Sequence, residues 1–156
     1  MVVTIKVADS YSLRPIAGEE RSVLLNYQSD TGLVVPGRVL EAQFTAASGS
    51  LLFITYDIPF EEQLDILLIR ADAVIVDRAS LRAALTTGSF RNPSISEPDT
   101  VCFDFFGGHR WRARILPRAR FRVPIASDAI GVHRPFSWWR HLIVEPGNMK
   151  AADVAT

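Results

Sequence analysis

The chain has 156 residues, 48% of them apolar and 22% charged, with a formal net charge of zero. These are the proportions of one folded domain that needs neither staples nor metal, so disorder is excluded for its body; residues 1–146 are expected to form that domain and 147–156 a flexible tail. A lone cysteine, Cys102, excludes an internal disulfide. No apolar run is long enough for a membrane helix and no secretory leader is visible, which makes the cytoplasm the expected location.

Residues 2–7 are β-branched and short, and predict a strand. Residues 8–20, with Pro15 and Gly18, predict a loop, and residues 21–28 a second strand. Ser29-Asp30-Thr31-Gly32 predicts a turn. Residues 38–45 alternate Val39, Glu41 and Gln43 against Leu40, Ala42 and Phe44, the period of a half-buried strand. After the turn at Ser48-Gly49-Ser50, the continuous apolar run 51–56 predicts a strand buried on both faces. Pro59 breaks it. Residues 63–70 and 73–77 predict two strands joined by a tight turn, although a helix starting near Asp57 competes for the first of them. Good helix formers and candidate caps at Asp77 or Ser80 predict one short helix over 77–85. Residues 91–100, with two prolines, predict a loop.

The C-terminal half opens with a hairpin whose faces follow from burial. Strands 101–106 and 110–116 meet across Gly107-Gly108-His109. Only a three-residue loop puts Val101, Phe103, Phe105, Trp111, Ala113 and Ile115 on one face, and Cys102, Asp104, Phe106, Arg110, Arg112 and Arg114 on the other. This register sets Asp104 opposite Arg112. Pro117 is expected to end the second strand. Residues 118–123 alternate again, 127–135 are irregular, and the aromatic stretch 136–144 predicts a last strand. The expected fold is therefore mainly β: an antiparallel meander forming a sandwich or barrel-like domain with one short helix. The alternative is an α+β antiparallel sheet with a packed helix.

Charge is distributed unevenly along this chain. Residues 1–100 carry 8 basic and 13 acidic side chains, and residues 101–156 carry 9 basic and 4 acidic. Arginine outnumbers lysine 15 to 2, the usage of a GC-rich, bacterial-type genome, which weakens the case that any single arginine was selected for chemistry. The most distinctive feature is the even-numbered series Arg110, Arg112, Arg114, Arg118, Arg120 and Arg122. One reading is a cationic platform for nucleic acid, with His109 or Trp138 stacking nearby. The other is a solvated sheet face laced to acids from neighbouring strands, for which Glu62, Asp65, Asp72 and Asp77 are the expected donors. Zero net charge favours the second. Trp138 and Trp139 must point to opposite faces of a strand, so one of them needs a home outside the core; with Arg140 beside them they are candidate partner-binding residues.

Asp57, Glu61, Glu62 and Asp65 form a candidate acidic patch. Their spacing fits no metal loop, and His109, His133 and His141 form no zinc pattern, so no metal and no cofactor are expected. Cys102 reads as a buried thiol. There is no Gly-x-Ser-x-Gly elbow and no phosphate loop. The leading expectation is a small non-catalytic protein-binding domain, accessory or immunity-type by class. A nucleic-acid-binding domain is the second, and a small hydrolase or isomerase using Asp57, Glu61 or His109 the third. Open sheet edges would allow a homodimer.

Overall fold

The computed structural model describes residues 2–58, 62–82, 88–106, 109–121, 132–134 and 139–147. Among the described residues there are thirteen strands and no helix: β1 (Lys6–Val7), β2 (Tyr11–Pro15), β3 (Arg21–Asn26), β4 (Ser29–Pro36), β5 (Val39–Ala46), β6 (Gly49–Thr55), β7 (Leu64–Ile69), β8 (Ile75–Leu81), β9 (Arg91–Glu97), β10 (Thr100–Phe105), β11 (His109–Phe121), β12 (Val132–His133) and β13 (Trp139–Pro146). They form a six-stranded sheet in the order β1-β5-β6-β7-β8-β12, a four-stranded sheet β13-β11-β10-β9 and a three-stranded sheet β2-β3-β4. Every pairing is antiparallel.

The apolar runs of β6 and β7 explain the layering. Both strands are buried along their length apart from Gly49, and successive side chains go to opposite faces. Leu51, Phe53, Leu64, Ile66 and Leu68 join Val101, Phe103 and Phe105 of the four-stranded sheet in one core. Leu52, Ile54, Leu67 and Ile69 join Leu24 and Val35 of the three-stranded sheet in another. The six-stranded sheet is thus the middle layer of a sandwich-like, mainly β fold. The chain passes into it from β4 through Gly37, whose φ of 87° is left-handed and where a Cβ would stand 2.9 Å from the Thr55 carbonyl oxygen.

Two buried carboxylates tie the middle layer together. Asp65, fully buried on β7, accepts hydrogen bonds from Tyr56 Oη, Ser80 Oγ, Gln63 Nε2 and Arg78 Nε. Asp77 on β8 points the other way. One of its oxygens accepts from the successive amides of His141 and Leu142, at 2.8 and 2.9 Å, and the other from Arg134 at 3.1 Å. Asp77 therefore fastens β8 to β13, joining the middle sheet to the four-stranded one.

Several expectations need correction. The helix over 77–85 is replaced by strand through Leu81, with 83–87 outside the described residues. Helix propensity loses to pairing with β7 and to the buried partners of Asp77 and Ser80. The loop 8–20 contains β2, and the loop 91–100 contains β9, which tolerates Pro93 because it is an edge strand. The turn expected at 29–32 is the start of β4; the chain reverses instead at Tyr27-Gln28, with φ of 48° and 66°, the signs of a type I′ hairpin. Only residues 6–7 of the first predicted strand pair, and they pair with β5.

The hairpin of β10 and β11 keeps its expected faces but not its expected pairing. Asp104 lies opposite Arg110, not Arg112, and Phe105 lies opposite His109. Sliding one strand by two residues leaves every side chain on its side, so burial cannot separate the two registers. The turn decides: Phe106 leaves the strand at a φ of 58°, which makes it the first connecting residue, while 107 and 108 lie outside the described residues. Pro117 does not end β11 either; a register shift between Ile115 and Arg120 lets the strand run on to Phe121. Of the expected last strand, Trp139 onward is β13, and 135–138 lie outside the described residues. Of the expected tail, Gly147 is anchored by its amide to the Arg110 carbonyl at 2.8 Å, and 148–156 lie outside them.

Candidate functional site

The four-stranded sheet gives its apolar side to the core and its polar side to the surface. Alternation along β11 and β13 turns Trp111, Ala113, Ile115, Leu142 and Val144 inward. It leaves Arg110, Arg112, Arg114, His141, Ile143 and Glu145 partly exposed on the outer side. Arg110 pairs with Asp104 at 2.9 Å, and Arg112 with Glu145 at 2.6 Å. Partial burial pushes the Asp104 carboxyl up, but the hydrogen bonds from Asn92 and Arg110 and the charge of Arg110 outweigh it and hold the group below the usual carboxylate range. Arg114 makes no ion pair among the described residues. With Arg112, Glu97, Thr100 and Glu145 it lines a cleft of about 180 Å³.

Beyond the register shift, β11 and β13 carry the most exposed rings of this sheet. Phe121 and Trp139 lie directly opposite each other. They are 57% and 54% exposed and meet edge to face, with centroids 5.8 Å apart. Arg118 and Arg120 are exposed on the same stretch of β11, but Arg120 pairs with Arg140 across the strands and so projects to the face opposite the rings. Arg140, opposite Arg120, turns inward and is buried. Arg122 and Trp138 lie outside the described residues. The series 110–120 therefore divides: Arg110 and Arg112 pair with neighbouring acids, Arg114 lies beside them, and Arg118 and Arg120 are exposed farther along β11. The acids that pair with Arg110 and Arg112 are Asp104 and Glu145. The expected donors serve elsewhere: Asp65 holds Arg78, Asp72 holds Arg70 and Asp77 holds Arg134, while Glu62 accepts the amides of Tyr56 and Gln63.

The acidic residues do not converge. Asp57 is exposed at the end of β6, Asp65 is interior, and Glu61 lies outside the described residues. His109 is exposed at the start of β11 and His133 on β12. Neither Asp57 nor His109 lines the clefts described here. Among the described residues no group of three or more His, Cys, Asp or Glu is placed to hold a metal. Cys102 is buried, its Sγ donating to Ser96 Oγ at 3.1 Å. No helix among the described residues is long and apolar enough to cross a membrane.

The Tyr56–Asp65 contact carries its own pH signature. Burial first, then the hydrogen bond to Asp65, raises the Tyr56 phenol above its ordinary value of 10.0. A raised folded-state value means that the stabilisation is complete below the unfolded value and is lost as pH rises through the folded one. The advantage of the wild type over Tyr56→Phe, read from urea midpoints, should therefore be constant at neutral pH and shrink above about pH 10. An advantage that stays constant into that alkaline range would show that the phenol titrates alike in both states.

The sequence points to the arginines and Trp139 but not to Phe121 as the second exposed ring, because alternation over 118–123 sets that ring opposite the arginines and so reads as inward. It also missed Asp65 and Asp77 as interior connectors. The visible signal for Asp65 was a single carboxylate inside the otherwise apolar run Leu64–Ile69. No family model matches the chain, and neither a curated protein nor a solved structure does.

Proposed function

We propose that this chain is a non-catalytic protein-binding domain, accessory or immunity-type in class, acting through the outer side of its four-stranded sheet. The observation that carries this reading is the exposed Phe121–Trp139 pair. Aromatic rings and arginine are the side chains that dominate protein interfaces, with rings as anchors and charges around them. Farther along the same side, arginine and carboxylate alternate, with Glu97 and Glu145 beside Arg112 and Arg114. A mixed-charge strip suits a folded partner with its own mixed charges better than a polyanion, which the two glutamates repel.

A photo-crosslinker placed at His141, with a control at the exposed Val34 of the three-stranded sheet, tests this in cells. One protein adduct is expected from position 141 and none from 34, and it should disappear when Phe121 and Trp139 are both changed to serine. Adducts in equal yield from both positions, or none from 141, would remove the proposal. Single-stranded nucleic acid is the second reading, favoured by the same exposed rings and by the exposed Arg118 and Arg120, which make no ion pair among the described residues. It predicts a nucleic-acid adduct at 141 and binding that weakens steeply with salt.

A further inference from the structure

At one end of the middle and three-stranded sheets, three hairpin turns come together around an open cleft of about 520 Å³. They are the turn at Tyr27-Gln28, the turn joining β5 to β6, and the turn joining β7 to β8. The volume is in the range of small-molecule sites. None of the residues discussed above for partner binding lines it.

We propose that this cleft binds a neutral saccharide. Its chemistry excludes the other common ligand classes. Among the described residues the charged groups lining it are Arg70 and Asp72, which neutralise each other in a parallel fork, Nε to Oδ1 at 3.1 Å and Nη2 to Oδ2 at 2.8 Å. A phosphate or carboxylate therefore meets no net positive field. The aliphatic groups among those residues are alanines 46, 47 and 71, so a greasy ligand or a protein's apolar anchor finds no pocket to fill.

What remains is hydroxyl, carboxamide and ring. Ser10, Thr45, Ser48 and Ser50 each offer a donor and acceptor on one group. Tyr11 and Tyr27 add ring faces, and Tyr27 is 79% exposed. Asn26 lines the same cleft, and its buried Oδ1 has no hydrogen-bond partner among the described residues; turning that carboxamide into the cleft would let a ligand hydroxyl supply the donor. A pyranose presents this complement: C–H groups on one face for an aromatic ring, and hydroxyls around its rim for planar amide, guanidinium and carboxylate groups.

The frame is rigid where recognition needs it. Tyr27 donates its amide to the Ser10 carbonyl at 2.7 Å. Tyr11 is held by a reciprocal pair with the Gln43 carboxamide, at 2.9 Å in each direction. The β7–β8 turn is closed by hydrogen bonds of 2.9 and 3.0 Å between Arg70 and residues Val74 and Ala73. A cleft walled by three fixed turns loses little conformational freedom on binding.

The test is a backbone-amide NMR titration of the full chain with maltose, cellobiose, lactose and N,N′-diacetylchitobiose, each to about 10 mM, and with inorganic phosphate as the charged probe. At least one saccharide should shift amides at 26–27, 47–50 and 70–73 with a millimolar Kd, and phosphate should not. Tyr27→Asn removes the ring while keeping a residue that accepts left-handed φ, and it should weaken binding at least about tenfold with the strand spectrum unchanged. Ser48→Trp, which fills the cleft from the second turn, should do the same. The proposal is overturned if no saccharide moves these amides, if phosphate moves them equally, or if both variants bind like the wild type. Crosslinking from His141 stays unaffected by either variant, so the two sites fail or succeed separately.

Discussion

Asp65→Ala is expected to lower folding stability by about 3–5 kcal/mol, the usual result of removing one member of a buried charge pair. The carboxylate is completely inaccessible and serves four side chains on three segments: Tyr56, Gln63, Arg78 and Ser80. Alanine leaves the buried phenol and hydroxyl without their acceptor and strips the guanidinium, whose side chain is 35% exposed, of its counter-charge. Tyr56→Phe removes a single donor and leaves Asp65 with three, so it should cost only about 1 kcal/mol. Urea denaturation of the two variants separates these cases. If Asp65→Ala falls within about 1 kcal/mol of the wild type, the four groups have other partners, and the network is not what holds β7 to β8.

Phe53→Ala should cost a similar amount, about 3–5 kcal/mol, from lost transfer energy plus the cavity left behind. The ring is fully buried between the middle and four-stranded sheets and touches Phe44 at 5.8 Å, Phe90 at 5.1 Å and Phe103 at 5.1 Å. Domains of ordinary stability have only about 5–15 kcal/mol in total, so this one change should bring unfolding close to working temperature. The two-core arrangement makes a sharper demand. Phe53→Ala combined with Phe103→Ala should deviate from additivity by about 0.5–3 kcal/mol, because the rings share one cavity. Phe53→Ala combined with Leu24→Ala should add within about 0.5 kcal/mol, because Leu24 belongs to the opposite core, on the far side of the middle sheet. Coupling of equal size in both pairs would mean that the two cores behave as one.

The strands easiest to read from sequence were those whose side chains had only one place to go. The run 51–56 and its partner 63–70 carried enough uninterrupted apolar surface to demand cover on both faces, and the structure covers both. The alternation at 101–116 likewise assigned each residue of β10 and β11 to its side. Pairing was less legible, because Asp104 opposite Arg110 and Asp104 opposite Arg112 bury the same atoms; the turn conformation of Phe106 separates them. Edge strands were least legible. β9 lacks the apolar face that marks a strand, and β2 offers only Tyr11 and Leu13 of one; both are completed by a neighbour's unpaired amides and carbonyls. The 77–85 segment failed for a related reason: local preference for helix was outweighed by tertiary partners of Asp77 and Ser80 that are remote in sequence. The hairpin-turn cleft gave no linear signal at all, since its lining comes from four segments, 10–11, 26–27, 45–50 and 70–72, that are far apart in the chain.

A middle layer covered on both sides has a consequence for how this protein can change. Along β6 and β7 there is no solvent-facing position where substitutions can accumulate without effect: every side chain from Ser50 to Thr55 and from Leu64 to Ile69 is interior to one side or the other. Drift is freest in the outer sheets, at the edge strands of the middle sheet and in the hairpin turns, where the two proposed binding surfaces lie. New recognition properties can therefore be tried there while the central strands hold the architecture constant.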